Sequence, residues 1–206
     1  MQAQVDRLVG DESRSREDLR RHYEVEKEIA TRLKAANRAE REVIYRTMYD
    51  ELFEKVPNHS RLNIRETEEL TQRRNRRRMS LVGKFISKDS VFLEFAPGDC
   101  RFASEVCKQV AKVYGVDISD QAGVDHKRPD NFELIVYDGY NLDLPPESVD
   151  VVFSDQLLEH LHPEDTQHHF EIVKRILKPN GVYVFRTPHR YSGPWDVSRY
   201  FADEPE

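Results

Sequence analysis

The second half of the chain alternates between short apolar runs and segments with helical periodicity, and this alternation most constrains the fold. The apolar runs are rich in β-branched and aromatic residues and predict five strands, at 91–95, 113–118, 133–137, 149–153 and 182–186. Helical spacing predicts helices over 102–111 and 165–177. Because the strand cores are continuously apolar, both sheet faces must be covered, which is typical of a doubly wound, mostly parallel α/β sheet.

The first half has a different character and predicts an α-helical region ahead of the sheet. Apolar residues recur every four positions at Ile44, Met48, Leu52 and Val56, which indicates an amphipathic helix that Pro57 ends. An earlier charged helix is predicted from about residue 13, and a third over about 65–85. We therefore predict two domains, a helical region at 1–88 and an α/β domain at 89–206.

Charge divides the chain in the same way. Lys and Arg outnumber Asp and Glu by 21 to 17 in residues 1–90 but are outnumbered by 11 to 21 in residues 91–206, within a net charge of −6. The run Arg73-Arg-Asn-Arg-Arg-Arg78 has two interpretations: a nucleic-acid patch, or a surface that is solvated or pairs with the acidic half. We favour the second, because no aromatic residues suited to base stacking are interleaved with the run.

The sequence shows neither a secretory leader nor an apolar run long enough for a membrane span, so we expect a cytoplasmic protein without membrane association. Cys100 and Cys107 are its two cysteines and give no disulfide or metal framework. We therefore expect no metal site among the cysteines.

Polar or small residues stand at the carboxyl ends of four predicted strands, where α/β sheets bind ligands. They are Glu94 with the turn Ala96-Pro97-Gly98, then Asp117 with Ile118, then Asp138-Gly139, and finally Ser154-Asp155. Small residues in the turn let the backbone approach a ligand, and Asp117 is placed to accept the hydroxyls of a ribose. These ends predict a ligand with cationic or hydroxyl-rich character.

Two nucleoside cofactors compete for this site. A dinucleotide site needs three glycines in the pattern G-x-G-x-x-G, whereas Ala96, Gly98 and Phe102 occupy those positions here. Glu94 is also a poor neighbour for a pyrophosphate. An aminosulfonium cofactor without phosphates fits the acids better.

These motifs resemble class I S-adenosylmethionine-dependent methyltransferases over about residues 89–200. The segments that carry the resemblance are 94–100, 116–119, 137–139, 154–161 and 177–184. The resemblance implies a Rossmann-like fold, S-adenosyl-L-methionine as cofactor, and cofactor contacts from Glu94, Ala96, Pro97, Gly98, Asp117, Ile118, Asp138, Gly139, Ser154 and Asp155. The segments 22–28 and 49–53 resemble a helical extension that some members carry.

The sequence departs from the family pattern in two ways. Ala96 and Cys100 replace motif glycines, and Cys100 is placed to crowd the methionine end of the cofactor. The family sheet also continues for two further strands, so we expect the fifth strand to form an exposed apolar edge. We favour a piece of a longer protein, with the connector at 187–198 leading onward, over a partner that covers the edge.

The resemblance implies methyl transfer, with His160, Asp155 and His189 as candidates for a general base. We interpret His162, before Pro163, as a residue that begins a helix, and His168-His169 as a partly exposed pair. We expect a small-molecule acceptor, because the Asn/Asp-Pro-Pro-Tyr/Phe motif of enzymes that methylate exocyclic or amide nitrogens is replaced by Ser154-Asp-Gln-Leu157. An RNA or protein acceptor, a non-catalytic cofactor-binding scaffold and a homodimer stay open.

Overall fold

A computed structural model describes residues 14–59, 62, 67–120, 128–189 and 197–201. Internal contacts divide the chain into two compact units. The first contains the described parts of residues 1–66 and 189–206, and the second contains those of residues 67–188. The third predicted helix thus groups with the sheet and not with the N-terminal helices. No helix among the described residues is both long and apolar enough to cross a membrane.

The first unit contains two helices that begin with capping boxes. Helix α1 spans Arg16–Ala35 and α2 spans Arg38–Lys55. Their N-caps are Ser15 and Asn37, whose side chains accept from backbone N–H groups while Asp18 and Glu40 reach back to the cap. The predicted stripe on α2 is confirmed, since the cluster that joins the helices contains Val25, Ile29, Leu52 and Val56, with Ile44 and Met48 packed against it.

A short 3-10 helix at Val197–Tyr200 also belongs to this unit. Val197 and Phe201 pack with Leu19 of α1 in a small buried cluster. Most of the predicted connector at 187–198 lies outside the described residues.

The second unit is built on a five-stranded sheet in which all neighbouring strands are parallel. The strand order is β3-β2-β1-β4-β5. The strands are β1 at Val91–Phe95, β2 at Lys112–Asp117, β3 at Phe132–Val136, β4 at Val149–Asp155 and β5 at Leu177–Arg186. The predicted Rossmann-like α/β fold is confirmed, with the order reversing between β1 and β4.

Helices cover both faces of the sheet. Helix α3 spans Glu68–Val82, α4 spans Arg101–Val106 and α5 spans Pro163–Ile176. The core on one face includes Val82, Phe92, Phe102, Val106 and Phe153, and the core on the other includes Leu93, Phe95, Val152, Val173 and Ile176. Consecutive residues of β1 therefore serve opposite cores, which explains its unbroken apolar run.

Two elements differ from their predicted bounds by five residues at one end, and the others differ by three residues or fewer. Helix α4 ends at Val106, five residues before the predicted end, because the chain turns there and buries Val110 before Ala111 donates to the Ser90 carbonyl at 3.0 Å. Strand β5 begins at Leu177, five residues before the predicted start. A register shift between Val149 and Val151 of β4 accommodates the additional residues of β5.

As predicted, β5 is the outermost strand of the described sheet and presents an apolar edge. The side chain of Phe185 is 47% exposed, and the neighbouring Phe170 of α5 is 39% exposed.

Candidate functional site

The carboxyl ends of β1, β2 and β4 meet at one edge of the sheet. Phe95 of β1 lies in register with Val116 of β2 on one side and with Ser154 of β4 on the other. This register brings Glu94, Asp117 and Asp155 to the same edge. It is the point at which the strand order reverses, where open α/β sheets form their ligand crevice.

The loop after β1 has an unusual backbone. Ala96, Gly98 and Cys100 have φ angles of 52°, 55° and 58°, so three alternate residues are left-handed. This conformation is strained for Ala96 and Cys100, which carry a Cβ. The Ala96 N–H donates to the Val116 carbonyl at 2.8 Å, and this bond holds the start of the loop against β2.

Asp117 is tied to the loop. Its Oδ2 accepts from the Gly98 N–H at 3.3 Å, and its Oδ1 accepts from the Ile118 N–H at 2.8 Å. The residue is 5% exposed. Its Oδ1 also accepts from the Ser119 N–H at 3.4 Å, so the carboxylate fixes the backbone on both sides of the crevice.

Glu94 is the most perturbed acid of the site. It is 2% exposed, and its buried Oε2 has no hydrogen-bond partner among the residues that the structure describes. Burial raises the pKa of Glu94 to about 8, although the positive charge of Arg78 opposes the shift. The carboxyl is therefore mostly protonated at neutral pH.

Asp155 lies on β4, next to the strand of Glu94, and both of its carboxylate oxygens accept hydrogen bonds from arginines. Its carboxylate accepts from Arg78 Nε at 2.7 Å and from Arg186 Nε and NH2 at 2.5 and 2.7 Å. Burial alone would raise the pKa of Asp155, but the two guanidinium groups outweigh it and hold the pKa below its ordinary value. With both oxygens in ion pairs, this carboxylate joins α3, β4 and β5.

Ser154 takes part in a buried chain of hydroxyl and imidazole groups. Its Oγ lies 2.8 Å from the Tyr183 hydroxyl, which in turn lies 2.8 Å from His169 Nε2. The prediction that His168 and His169 form a partly exposed pair is wrong for His169, which is 5% exposed and packs edge-on against Phe95. Burial lowers the pKa of His169 to about 4, so its ring is neutral at physiological pH.

Asp138 and Gly139 form a turn after β3. Asp138 Oδ1 accepts from the N–H groups of Tyr140 and Asn141 at 2.8 and 2.6 Å. Gly139 has a φ of 90°, which a residue with a Cβ rarely adopts. The turn follows the strand beside β2.

The other predicted histidines lie in different settings. His160 is exposed in a 3-10 helix at Leu158–His160 just after β4. His162 is the N-cap of α5 and accepts from the Glu164 N–H at 3.3 Å, as predicted for a residue that begins a helix. His189 is exposed and belongs to the first compact unit, whereas the strand ends belong to the second.

Both cysteines are buried thiols, and burial raises the pKa of each. Cys100 and Cys107 both belong to the core cluster beneath β1, and burial raises the pKa of Cys100 to about 12. The Cys100 side chain lies in the core, with Sγ 3.6 Å from the Gly98 carbonyl. This position removes the physical reason to expect that it crowds a ligand.

Sequence reasoning missed Arg78, Arg186 and Tyr183 as parts of this edge. The interpretation of the arginine run as pairing with the acidic half holds for two of its members, since Arg78 binds Asp155 and Arg74 lies 3.9 Å from Asp99. The i, i+4 spacing of Arg74 and Arg78 was a usable signal, because it places both on one face of α3.

Comparison with known proteins identifies the domain. Residues 93–185 match the family model described as a methyltransferase domain. Residues 93–185 thus correspond to a methyltransferase domain. Methyltransferase domains of this kind take their methyl group from S-adenosylmethionine. A sequence search of curated proteins finds no match.

Comparison with solved structures finds chains that are similar to this one. Phosphoethanolamine N-methyltransferase 1 of Haemonchus contortus, in complex with phosphoethanolamine and S-adenosylhomocysteine, has a TM-score of 0.57 and 16% identity over 74% of this chain and 33% of that chain. The PH0226 protein of Pyrococcus horikoshii has a TM-score of 0.46 and 27% identity over 53% and 56%. An S-adenosylmethionine-dependent methyltransferase of Mesorhizobium loti has a TM-score of 0.44 and 24% identity over 53% and 52%.

The chain spans between a third and somewhat over half of the length of these solved structures. At 16% identity, the likeness to the Haemonchus enzyme shows the fold alone.

Proposed function

We propose that the chain binds S-adenosylmethionine at the carboxyl ends of β1, β2 and β4 and transfers its methyl group to a small-molecule acceptor. The observation that carries this proposal is a pair of buried carboxyl groups, Glu94 and Asp117, on either side of a strained loop. A buried acid whose Oε2 has no hydrogen-bond partner among the described residues suits a cationic ligand. The cofactor carries such a charge on its amino and sulfonium groups.

Each residue at the strand ends would contact one part of the cofactor. Asp117 and Ile118 would hold the ribose, and Ala96, Pro97 and Gly98 would let the backbone approach it. We assign Asp138, Gly139 and Ser154 to the adenine side, and Glu94 to the cationic methionine end. Each assignment follows from the position of the residue at its strand end.

The cofactor supplies an electrophilic methyl group on a sulfonium, and the chain supplies orientation and a dry site. Holding two reactants in line can contribute roughly 7–11 kcal/mol to the barrier reduction. Because both Asp155 oxygens accept from arginines, we propose that Asp155 positions Arg78 and Arg186. His160 and His189 stay the predicted bases for an acceptor that arrives protonated.

The acceptor class depends on the exposed face of α3. Arg76 and Arg77 are exposed, and they support the alternative of an RNA acceptor. A steep loss of RNA affinity with added salt, reduced in an Arg76→Gln, Arg77→Gln variant, would favour that alternative. Salt-independent behaviour favours the small molecule. A cytoplasmic location, a homodimer and a substrate-recognition role for residues 1–88 stay predictions.

Calorimetric titration with S-adenosylmethionine and S-adenosylhomocysteine tests the proposal. We expect micromolar binding that Asp117→Ala weakens at least about 10-fold, because a charge-assisted hydrogen bond contributes about 1.5–3 kcal/mol. Asp130→Ala is the matched control, since Asp130 is exposed and precedes β3 at the opposite edge of the sheet. Equal affinity in the two variants would refute the site, and binding without turnover on any acceptor would favour the scaffold alternative.

A further inference from the structure

The first unit contains a cluster of metal-ligand side chains that the methyltransferase chemistry does not use. His22 and Glu26 lie one turn apart on α1, so both project from the same helix face. His59 follows α2 and packs its ring against His22, with centroids 4.5 Å apart. Both histidines are buried, at 5% and 6% exposure.

The distances within this cluster suit one shared ion. The ligand atoms of the three side chains all lie within 4.8 Å of one another, and His22 Nε2 lies 2.9 Å from Glu26 Oε1. A tetrahedral zinc site with bonds of about 2.0–2.1 Å needs its ligand atoms about 3.3 Å apart. Small rotamer adjustments of His59 and Glu26 would meet that requirement.

The donor set also specifies the kind of ion. Two imidazole nitrogens and one carboxylate oxygen suit zinc and neighbouring divalent transition metals, whereas magnesium and calcium prefer oxygen ligands throughout. The Glu26 side chain is 39% exposed, so the cluster can be reached from solvent on that side. A water molecule could complete the fourth position.

Arg14 competes with such an ion. Its NH1 lies 3.1 Å from His22 Nδ1. A guanidinium can only donate, so in this arrangement Nδ1 accepts, the ring proton sits on Nε2, and Nε2–H donates to Glu26. Coordination of an ion by Nε2 would require the other neutral tautomer, with the ring proton on Nδ1, and Arg14 would have to move away from that nitrogen.

We propose that His22, Glu26 and His59 form a site for one zinc-like divalent transition-metal ion, which Arg14 keeps closed when no ion is bound. The ion would join α1 to the segment after α2 and so stabilise the helical unit by mass action. The proposal is independent of the methyltransferase function, because none of the four residues contributes to the strand ends.

The test uses the full chain freed of metal with a chelator and titrated with Co²⁺ as a spectroscopic probe. We expect one Co²⁺ per chain, the intense visible absorption of four-coordinate cobalt, and its loss when Zn²⁺ is added. Weak absorption typical of six-coordinate aqueous cobalt, or saturation at no defined stoichiometry, would overturn the proposal.

Variants separate this site from adventitious binding. His59→Ala and Glu26→Gln should each weaken Co²⁺ binding by about 100-fold, since even lost outer-shell partners cost about 10–100-fold. The matched control is Glu24→Gln, the same change at an exposed position of α1, which should leave the affinity unchanged. Arg14→Gln should tighten binding about 10-fold if the arginine closes the site.

Glu26→Gln keeps a side chain of the same shape, so it remains informative if His59→Ala fails to fold. Far-UV circular dichroism of each variant shows which ones are folded. If Glu24→Gln weakens binding as much as Glu26→Gln does, the cobalt is responding to surface charge and the proposal is wrong.

Discussion

Glu94 and Asp155 lie on adjacent strands at the same edge of the sheet, and burial acts on both, yet their hydrogen bonding and the direction of their pKa shifts differ. Glu94 is buried with a raised pKa and an Oε2 that has no hydrogen-bond partner among the described residues. Asp155 accepts from two arginines and has a lowered pKa. A buried carboxylate that is fully paired with protein groups stabilises the fold. A buried carboxyl with an oxygen that no described protein group pairs with indicates a place for a ligand.

Removing the charge of Asp155, which is paired with two arginines, should have the largest effect on stability. Asp155→Asn should lower the free energy of unfolding by about 3 kcal/mol, because it leaves two guanidinium groups without their carboxylate. Urea denaturation measures the change. Asp99→Asn removes an exposed carboxylate that lies 3.9 Å from Arg74 and 3.5 Å from Arg101, and it should change stability by less than about 0.5 kcal/mol. Equal effects would show that Asp155 has no special structural role.

Glu94→Gln is the corresponding change at the carboxyl whose Oε2 has no hydrogen-bond partner among the described residues. It should weaken the binding of S-adenosylhomocysteine by about 10–100-fold, since the cofactor would lose a charge-assisted contact. Calorimetry gives the affinity, and the folded state should survive because the isosteric amide carries no charge into the core. Unchanged affinity would remove Glu94 from the cofactor site.

The pH dependence of stability should distinguish the same two acids. The folded pKa of Glu94 is about 8 and its unfolded pKa about 4.5, so the folded state binds more protons between these values and stability falls as pH rises through this window. The lowered pKa of Asp155 has the opposite sign, and its contribution is lost only as pH falls through its folded pKa, below its unfolded value. Glu94→Gln should therefore be more stable than the wild type at pH 8 but not at pH 4.5, as measured by denaturation at both values.

Most of this edge could be predicted from sequence, because strand ends are fixed by local apolar runs and turns. Because each of Glu94, Asp117 and Asp155 lies at the carboxyl end of a predicted strand in a parallel sheet, the sequence predicts all three at one edge. The partners of Asp155 could not be predicted this way, since Arg78 precedes it by 77 residues and Arg186 follows it by 31, and such contacts depend on packing. The burial of His169 was missed for the same reason, because its neighbours Phe95 and Tyr183 lie on two different strands.

A change in the loop after β1, at Ala96, should have the smallest effect. Ala96→Gly should raise the free energy of unfolding by about 0.5 kcal/mol, because the left-handed penalty of about 1–2 kcal/mol exceeds the added entropy of the unfolded chain, about 0.4–1 kcal/mol. Ala103→Gly in α4 should act in the opposite direction, since it weakens a helix and removes a buried methyl group. Thermal denaturation of the two variants compares the signs.

We propose that Glu94 is protonated in the free protein and loses this proton when it binds the cationic end of the cofactor. The most direct measurement is calorimetric titration of S-adenosylmethionine at pH 7 in buffers of different ionisation enthalpy, for the wild type and Glu94→Gln. The pKa of about 8 predicts that the wild type releases close to one proton on binding and that the variant releases none. Binding without proton release, or equal release by both proteins, would contradict the account.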